Sequence, residues 1–214
     1  GNDGYYHIAL ARVLWEEHIH FQFDWLPLTI LNPGAYVDHH FLFHLLLIPF
    51  TFGNLIIGAK LAASLFASLA FYASYRLLVS RGLRQPFLYL LLFLSVSDVF
   101  LYRLLMPRVQ SLSLAFLMAA FYFLFEKKYR WLGVCAFFYV WLFNGYPLLL
   151  VLALFYSGID WLYERKLDIR LLRAVALGLL LGLVLNPFFP QNLSFSWLHV
   201  APKVVSPLDV RVGN

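Results

Sequence analysis

An all-α, polytopic transmembrane helix bundle with interfacial helices in its first external loop is the fold class this sequence predicts, on three observations. The 214 residues are 62% hydrophobic and only 13% charged, with a mean hydropathy of +0.76, whereas a soluble domain carries about 25% charged residues. The apolar residues fall in runs approaching the ~20 that cross a bilayer. Pro, Gly, Asn and clusters of basic residues separate those runs, the punctuation expected at helix ends.

Taken in order, residues 5–20 set Ile8, Leu10, Ala11, Leu14 and Trp15 among Arg12, Glu16, Glu17 and His18, a mixture that suits an amphipathic helix lying in the interface. Residues 21–36 contain Pro27, Asn32, Pro33 and Gly34 and read as an irregular loop. Residues 41–52 are apolar except for His44 and Thr51, too short a run for a span, and read as an interfacial or re-entrant helix. Crossings are expected at 55–79, 86–106, 111–125 and 171–185, with two shorter helices at 131–143 and 146–163 broken at Asn144-Gly145-Tyr146-Pro147. This divides the chain into an extracytoplasmic loop at 1–53, a bundle at 54–190 and an external segment at 191–214. The polar start lacks a basic n-region, an apolar core and an initiating Met, so we expect a fragment that misses a preceding span, truncated also at its polar end, residues 210–214.

Charge gives the topology. Arg76, Arg81, Arg84, Lys127, Lys128, Arg130, Arg165, Lys166, Arg170 and Arg173 fall on one side by parity, ten of the 16 Lys and Arg, and the positive-inside rule makes that side cytoplasmic. The net charge of +5 therefore reflects topology, and no nucleic-acid partner is expected. Cys135 is the only cysteine, so there is no internal disulfide.

The chemistry-bearing residues concentrate at the head of the chain. Only His199 among the seven histidines lies beyond residue 44, and Asp3, Glu16, Glu17, Asp24 and Asp38 are there too. The plain alternative is that extramembrane loops are where polar residues can live in an oily protein. Asp3 and His7, four apart, share a face if the segment is helical. Asp3 would serve as general base or metal ligand, its basicity tuned by partial desolvation near Tyr5 and Tyr6; it would equally serve as a helix N-cap. His40 and His44 repeat the spacing, so with Asp38 and Asp3 they could converge on one divalent cation, zinc if imidazole dominates, magnesium or manganese if carboxylate does. His39 and Tyr6 are further candidates. Arg108 and Arg103 could clamp a phosphate, though snorkelling explains Arg103 as well. Asp98 lies in an apolar segment where an ionisable group defaults to a functional or paired role. The Asn144 to Pro147 break either lines a cavity or is a simple turn.

Asp3-Gly4-Tyr5-Tyr6-His7, followed by Ala9-Leu10-Ala11-Arg12, resembles the start of the first external loop in the GT-C superfamily of polytopic membrane glycosyltransferases, which includes oligosaccharyltransferase catalytic subunits and polyprenyl-phosphate-sugar-dependent transferases. Asp38-His39-His40-Phe41-Leu42-Phe43-His44 resembles the second half of that loop. Met106-Pro107-Arg108-Val109-Gln110 is similar in place to the Arg-Pro-acid pattern of the second external turn, but its order differs and the acid is absent. The resemblance implies transfer of a sugar from a polyprenyl-phosphate donor to an acceptor on the extracytoplasmic face, with Asp3 in the position of the catalytic acid and with inversion at the sugar. Membrane lipids and the donor are the expected partners; a divalent metal is the expected cofactor, if there is one.

Two other classes stay open. A transporter or flippase would use Asp98, Lys60 and the broken helix at Asn144 to Pro147 as an intramembrane pathway. A non-catalytic assembly subunit would tolerate loss of both Asp98 and Asp3. An intramembrane metallohydrolase using His40 and His44 lacks any His-Glu-x-x-His string.

Overall fold

The computed structural model describes the backbone of residues 2–18 and 36–205 and the side chains of residues 4–18 and 36–198. The loop read over 21–36, apart from Tyr36, the Asp3 side chain and the polar end at 210–214 lie outside the described residues.

The described chain is helical, with no strand among the described residues. Ten α-helices follow one another: α1 (Asn2–Glu17), α2 (Phe41–Leu47), α3 (Leu55–Ser80), α4 (Pro86–Leu94), α5 (Asp98–Leu104), α6 (Val109–Phe125), α7 (Tyr129–Leu142), α8 (Pro147–Glu164), α9 (Ile169–Val184) and α10 (Gln191–Val205). A 3-10 turn, Ile48–Thr51, continues α2. Local chemistry sets the boundaries. Asn54 caps α3 by accepting from the amides of Ile56 and Ile57 at 2.9 and 3.2 Å, and Asp168 caps α9 through Arg170 and Leu171. Pro86 and Pro147 open α4 and α8 at the position where no amide is needed. Gly82, at φ +73°, ends α3 by letting the Leu83 amide turn back to the Leu78 carbonyl.

Among the described residues two helices, α3 and α8, are long and apolar enough to cross a membrane, and α4 with α5 makes a third if the pair is one span; the run 146–163, expected as a short helix, is thus α8, one of the two. The run 86–106, expected as a single crossing, is bent by 100° at its break. The cause is local: Ser97 takes an extended conformation and caps a new helix through the Val99 amide at 3.2 Å. The expected crossings at 111–125 and 171–185 are α6, of 17 residues, and α9, of 16, both shorter than the two helices long enough to cross.

Small residues face inward and large apolar ones outward. In α3, Gly58, Ala59, Ala62, Ala63, Ala67, Ala70 and Ser74 are buried, with Phe66 the one large side chain among them, while Ile56, Ile57, Leu61, Leu65 and Leu69 are exposed. A water-soluble helix buries its large residues; close packing through small ones with oily side chains outside is the membrane pattern. The most extensive pairings are α3 with α6 and α7 with α9. In the second, a Cβ at Gly178 would lie 2.3 Å from the Gly133 carbonyl oxygen, and one at Gly182 would lie 2.7 Å from that of Phe137. The Trp141 indole N–H donates across this seam to the Gly182 carbonyl at 2.8 Å.

The helices run between two chemically distinct ends. At one, Arg81 meets Glu126 at 3.3 Å, the Tyr129 hydroxyl donates to Asp168, and Lys127, Lys166 and Arg170 line one cavity. At the other, α1 and α2 lie against the starts of α3 and α6 and the end of α7, with α10 beside them.

Candidate functional site

The site grows from the way α1 is seated. Gly4, Ile8 and Ala11 are buried, spaced for one helix face. A Cβ at Gly4 would lie 2.4 Å from Cγ of Pro107 and 3.0 Å from its Cδ, so only glycine lets α1 press onto the turn before α6. Leu10 and Leu14, on the adjoining stripe, pack in a second cluster with Val37, Phe41, Phe188 and Phe195. Arg12 ties the far end down by donating to the Thr51 carbonyl at 3.1 Å. His7, one turn after Gly4, is thereby aimed at α2.

α2 buries Phe41, Phe43, His44 and Leu47. His44 is only 2% exposed and Asp38 5%, and the two are joined by a 2.7 Å contact from His44 Nδ1 to Asp38 Oδ2. The other Asp38 oxygen accepts from the His40 backbone N–H at 3.0 Å. His44 Nε2 lies 2.8 Å from His7 Nδ1. The contacts alone leave the proton positions open; with His44 neutral, one set of tautomers satisfies them all. Asp38 accepts from His44 Nδ1–H, His44 Nε2 accepts from His7 Nδ1–H, and His7 Nε2 is left with its lone pair. A buried carboxylate is thus connected through one imidazole to a second, partly exposed one.

His40 stands beside this chain. Its Nδ1 lies 3.0 Å from the Leu142 carbonyl, which can only accept, so the proton is on Nδ1. Its ring stacks on Phe143 at 5.9 Å and tilts against His39 at 4.1 Å, and His39 stacks on Phe195 at 5.1 Å.

The electrostatics follow from burial. Burial first, then the charges of His44, His39 and Arg108, push His7 down to about 3 against a weaker opposing pull from Asp38. His40 is held well below the ordinary imidazole value by burial and by His39, His44 and His7. For Asp38, burial would raise the carboxyl, but the charge and hydrogen bond of His44 and the His40 amide outweigh it and hold it low. Tyr6, edge-on to His7 at 5.4 Å, is pushed up to about 12 by burial and then by Asp38. Tyr36 is pushed up by burial, Asp38 and Tyr6. The cluster therefore holds an anionic Asp38, a neutral His7 and two neutral phenols.

Of the residues singled out in the sequence, Tyr6, His7, Asp38, His39, His40 and His44 come together, and Arg108, at the N-cap of α6, is close enough to act on His7. Arg103 is exposed in the last turn of α5, and Asp98 is exposed in its first turn, just past the bend. No ion pair joins Asp98 to Arg103 among the described residues. Lys60 is exposed on α3. At the Asn144 to Pro147 break, Asn144 and Tyr146 line a small cavity of mixed polarity with Asp38, His39, Asn186 and Asn192 on its polar side and Val37, Val140, Leu183 and Phe195 on its apolar one.

Tyr36, the Leu142 carbonyl and the Gly4–Pro107 contact were not legible as parts of the site. Tyr36 had a signal, standing two residues before Asp38; the others depend on distant segments meeting. As for a metal, no group of three or more His, Cys, Asp or Glu is arranged to hold one among the described residues. Both Asp38 oxygens and both His44 nitrogens are already engaged.

Comparison of the chain with protein families, with curated proteins and with solved structures finds no match.

Proposed function

We propose that this chain is a polytopic membrane glycosyltransferase that moves a sugar from a polyprenyl-phosphate donor to an acceptor on the extracytoplasmic face. In this reading α1 and α2 lie at the interface and the basic end of the bundle faces the cytoplasm. The observation that carries the chemistry is the Asp38–His44–His7 chain; the resemblance of Asp3 to His7 and of Asp38 to His44 to the first external loop of GT-C enzymes supplies the substrate class.

His7 Nε2 accepts the proton of the acceptor hydroxyl as its oxygen attacks the anomeric carbon. The bond from that carbon to the phosphate oxygen breaks, and its electron pair leaves with the phosphate. A base as weak as His7 suffices, because the attacking oxygen becomes strongly acidic as it bonds to an oxocarbenium-like carbon. His44 holds His7 in the tautomer that presents Nε2, and Asp38 balances the imidazolium that forms, without taking the proton itself. Arg108, beside His7, offers a planar fork of donors to the departing phosphate. Asp3, in the first turn of α1 one turn before His7, is the second acid that this reading places at the acceptor. No step is assigned to a metal.

The test is transfer of labelled sugar from a panel of polyprenyl-phosphate donors by the protein in membranes, comparing wild type, His7→Gln and Asp3→Asn with and without a chelator. Transfer by wild type that is lost in His7→Gln supports the reading. Absence of transfer from every donor, or full activity in His7→Gln, rejects it. A fall on chelation would assign Asp3 to a metal. Transport keeps one favourable observation, the 100° break between α4 and α5; that reading requires Asp98→Asn to abolish function while His7→Gln does not.

A further inference from the structure

A groove of about 530 Å³ opens on the side of the bundle between α3, α6 and α7, away from the histidine cluster. Its walls are apolar, from Leu69, Leu112, Phe116, Val134 and Phe138, with Ala115 and Ala119 on the α6 side. At one mouth the chemistry changes. Arg76 donates to the Tyr72 hydroxyl at 3.3 Å and lies over the Tyr122 ring. Lys128 donates to the Tyr122 hydroxyl at 2.9 Å and covers the same ring at 4.7 Å. The nearby carboxylate, Glu126, is paired with Arg81; Arg76 lines the mouth, Lys128 reaches it through the Tyr122 side chain, and neither cation has an ion pair among the described residues.

The dimensions and charge identify an occupant. From Leu112 to Tyr122 is ten residues of helix, about 15 Å, half of the ~30 Å hydrocarbon core and so the depth of one leaflet. We infer that this groove binds an anionic phospholipid of the leaflet facing the basic end, with an acyl chain along α6 and its phosphate on Arg76 and Lys128. The inference rests on the membrane reading but not on glycosyl transfer, since the cationic mouth at Arg76 and Tyr122 lies toward the far end of α3 and α6 from the Asp38–His44–His7 chain. A phosphate at this mouth is also met by the Tyr72 and Tyr122 hydroxyls, which can turn to donate to it once the cations contact the lipid.

The experiment is native mass spectrometry of the detergent-solubilised protein with equimolar phosphatidylglycerol and phosphatidylcholine. Each cation near an anionic headgroup is worth about a factor of five in binding, so wild type should prefer phosphatidylglycerol by about twenty- to thirtyfold. Arg76→Gln with Lys128→Gln, both exposed positions, should remove the preference while leaving some binding of either lipid. Ala119→Phe, which fills the groove, should release both lipids. Equal retention of the two lipids by wild type, an unchanged preference in the double variant, or unchanged retention in Ala119→Phe would overturn the inference. Displacement of phosphatidylglycerol by equimolar polyprenyl phosphate would overturn the assignment to a bilayer phospholipid. A His7→Gln protein that retains the preference separates this result from the fate of the catalytic reading.

Discussion

At the scale of the residue, the proposed function turns on two imidazoles and one carboxylate. Asp38→Asn replaces the anion that receives His44 Nδ1–H. We expect it to cost about 1–3 kcal/mol of stability, read as a lowered unfolding temperature in detergent, besides slowing transfer. His7 and His40 are both held below the ordinary imidazole value, so the unfolded chain binds more protons than the folded one once pH drops toward 6.5. Stability is therefore present above that pH and lost on acidification, for His7 until about 3. Asp38, also depressed, adds loss in the same direction below the ordinary carboxylate range. Unfolding temperatures measured from about pH 8 to pH 5 should fall with pH, and His7→Gln should flatten that slope. The participants at this scale were legible and their pairing was not. Spacing matched Asp3 to His7 and His40 to His44 on common helix faces, whereas the structure joins His7 to His44 across 37 residues. Periodicity says which residues share a face, not which faces meet.

At the scale of the element, glycine positions hold the bundle together. Gly178→Leu would drive a side chain into the Gly133 backbone, 2.3 Å from where its Cβ must lie. Backbone cannot swing aside as a side chain can, so a loss on the order of 3 kcal/mol is expected, measured as the shift in unfolding temperature. Gly4→Val acts differently. It lifts α1 from Pro107 and with it displaces His7, so transfer should fall by about 10²-fold with far less effect on thermal stability. The helix ends were largely legible, because Asn54, Pro86, Pro147 and Asp168 carry their capping chemistry in the sequence. The bend at Ser97 was not, since Ser95-Val96-Ser97 contains neither proline nor glycine and the apolar run continues on both sides. The seating of α1 on Pro107 was also hidden, for it depends on two segments a hundred residues apart.

At the scale of the whole molecule, the distribution of apolar surface decides the environment. The outward faces of α3 and α8 carry Ile56, Ile57, Leu61, Leu65, Val151, Leu154, Phe155 and Leu162 exposed, and oily surface on this scale marks a membrane or a partner interface. Composition alone gave this much. The proposed sidedness is testable because Cys135 is buried and the only cysteine. In a Cys135→Ala background, Lys166→Cys and Gln191→Cys should react with a membrane-impermeant maleimide from opposite sides of sealed vesicles. Labelling of both from one side would remove the topology.

The central claim is that Asp38 acts through His44 on His7, and a double-mutant cycle on the initial rate of sugar transfer tests it most directly. His7→Gln should lower the rate by about 10²–10⁴-fold, Asp38→Asn should lower it substantially, and the double variant should be no slower than His7→Gln alone, because the groups act as a unit. Losses that multiply in the double variant, or a His7→Gln protein as active as wild type, would contradict the account.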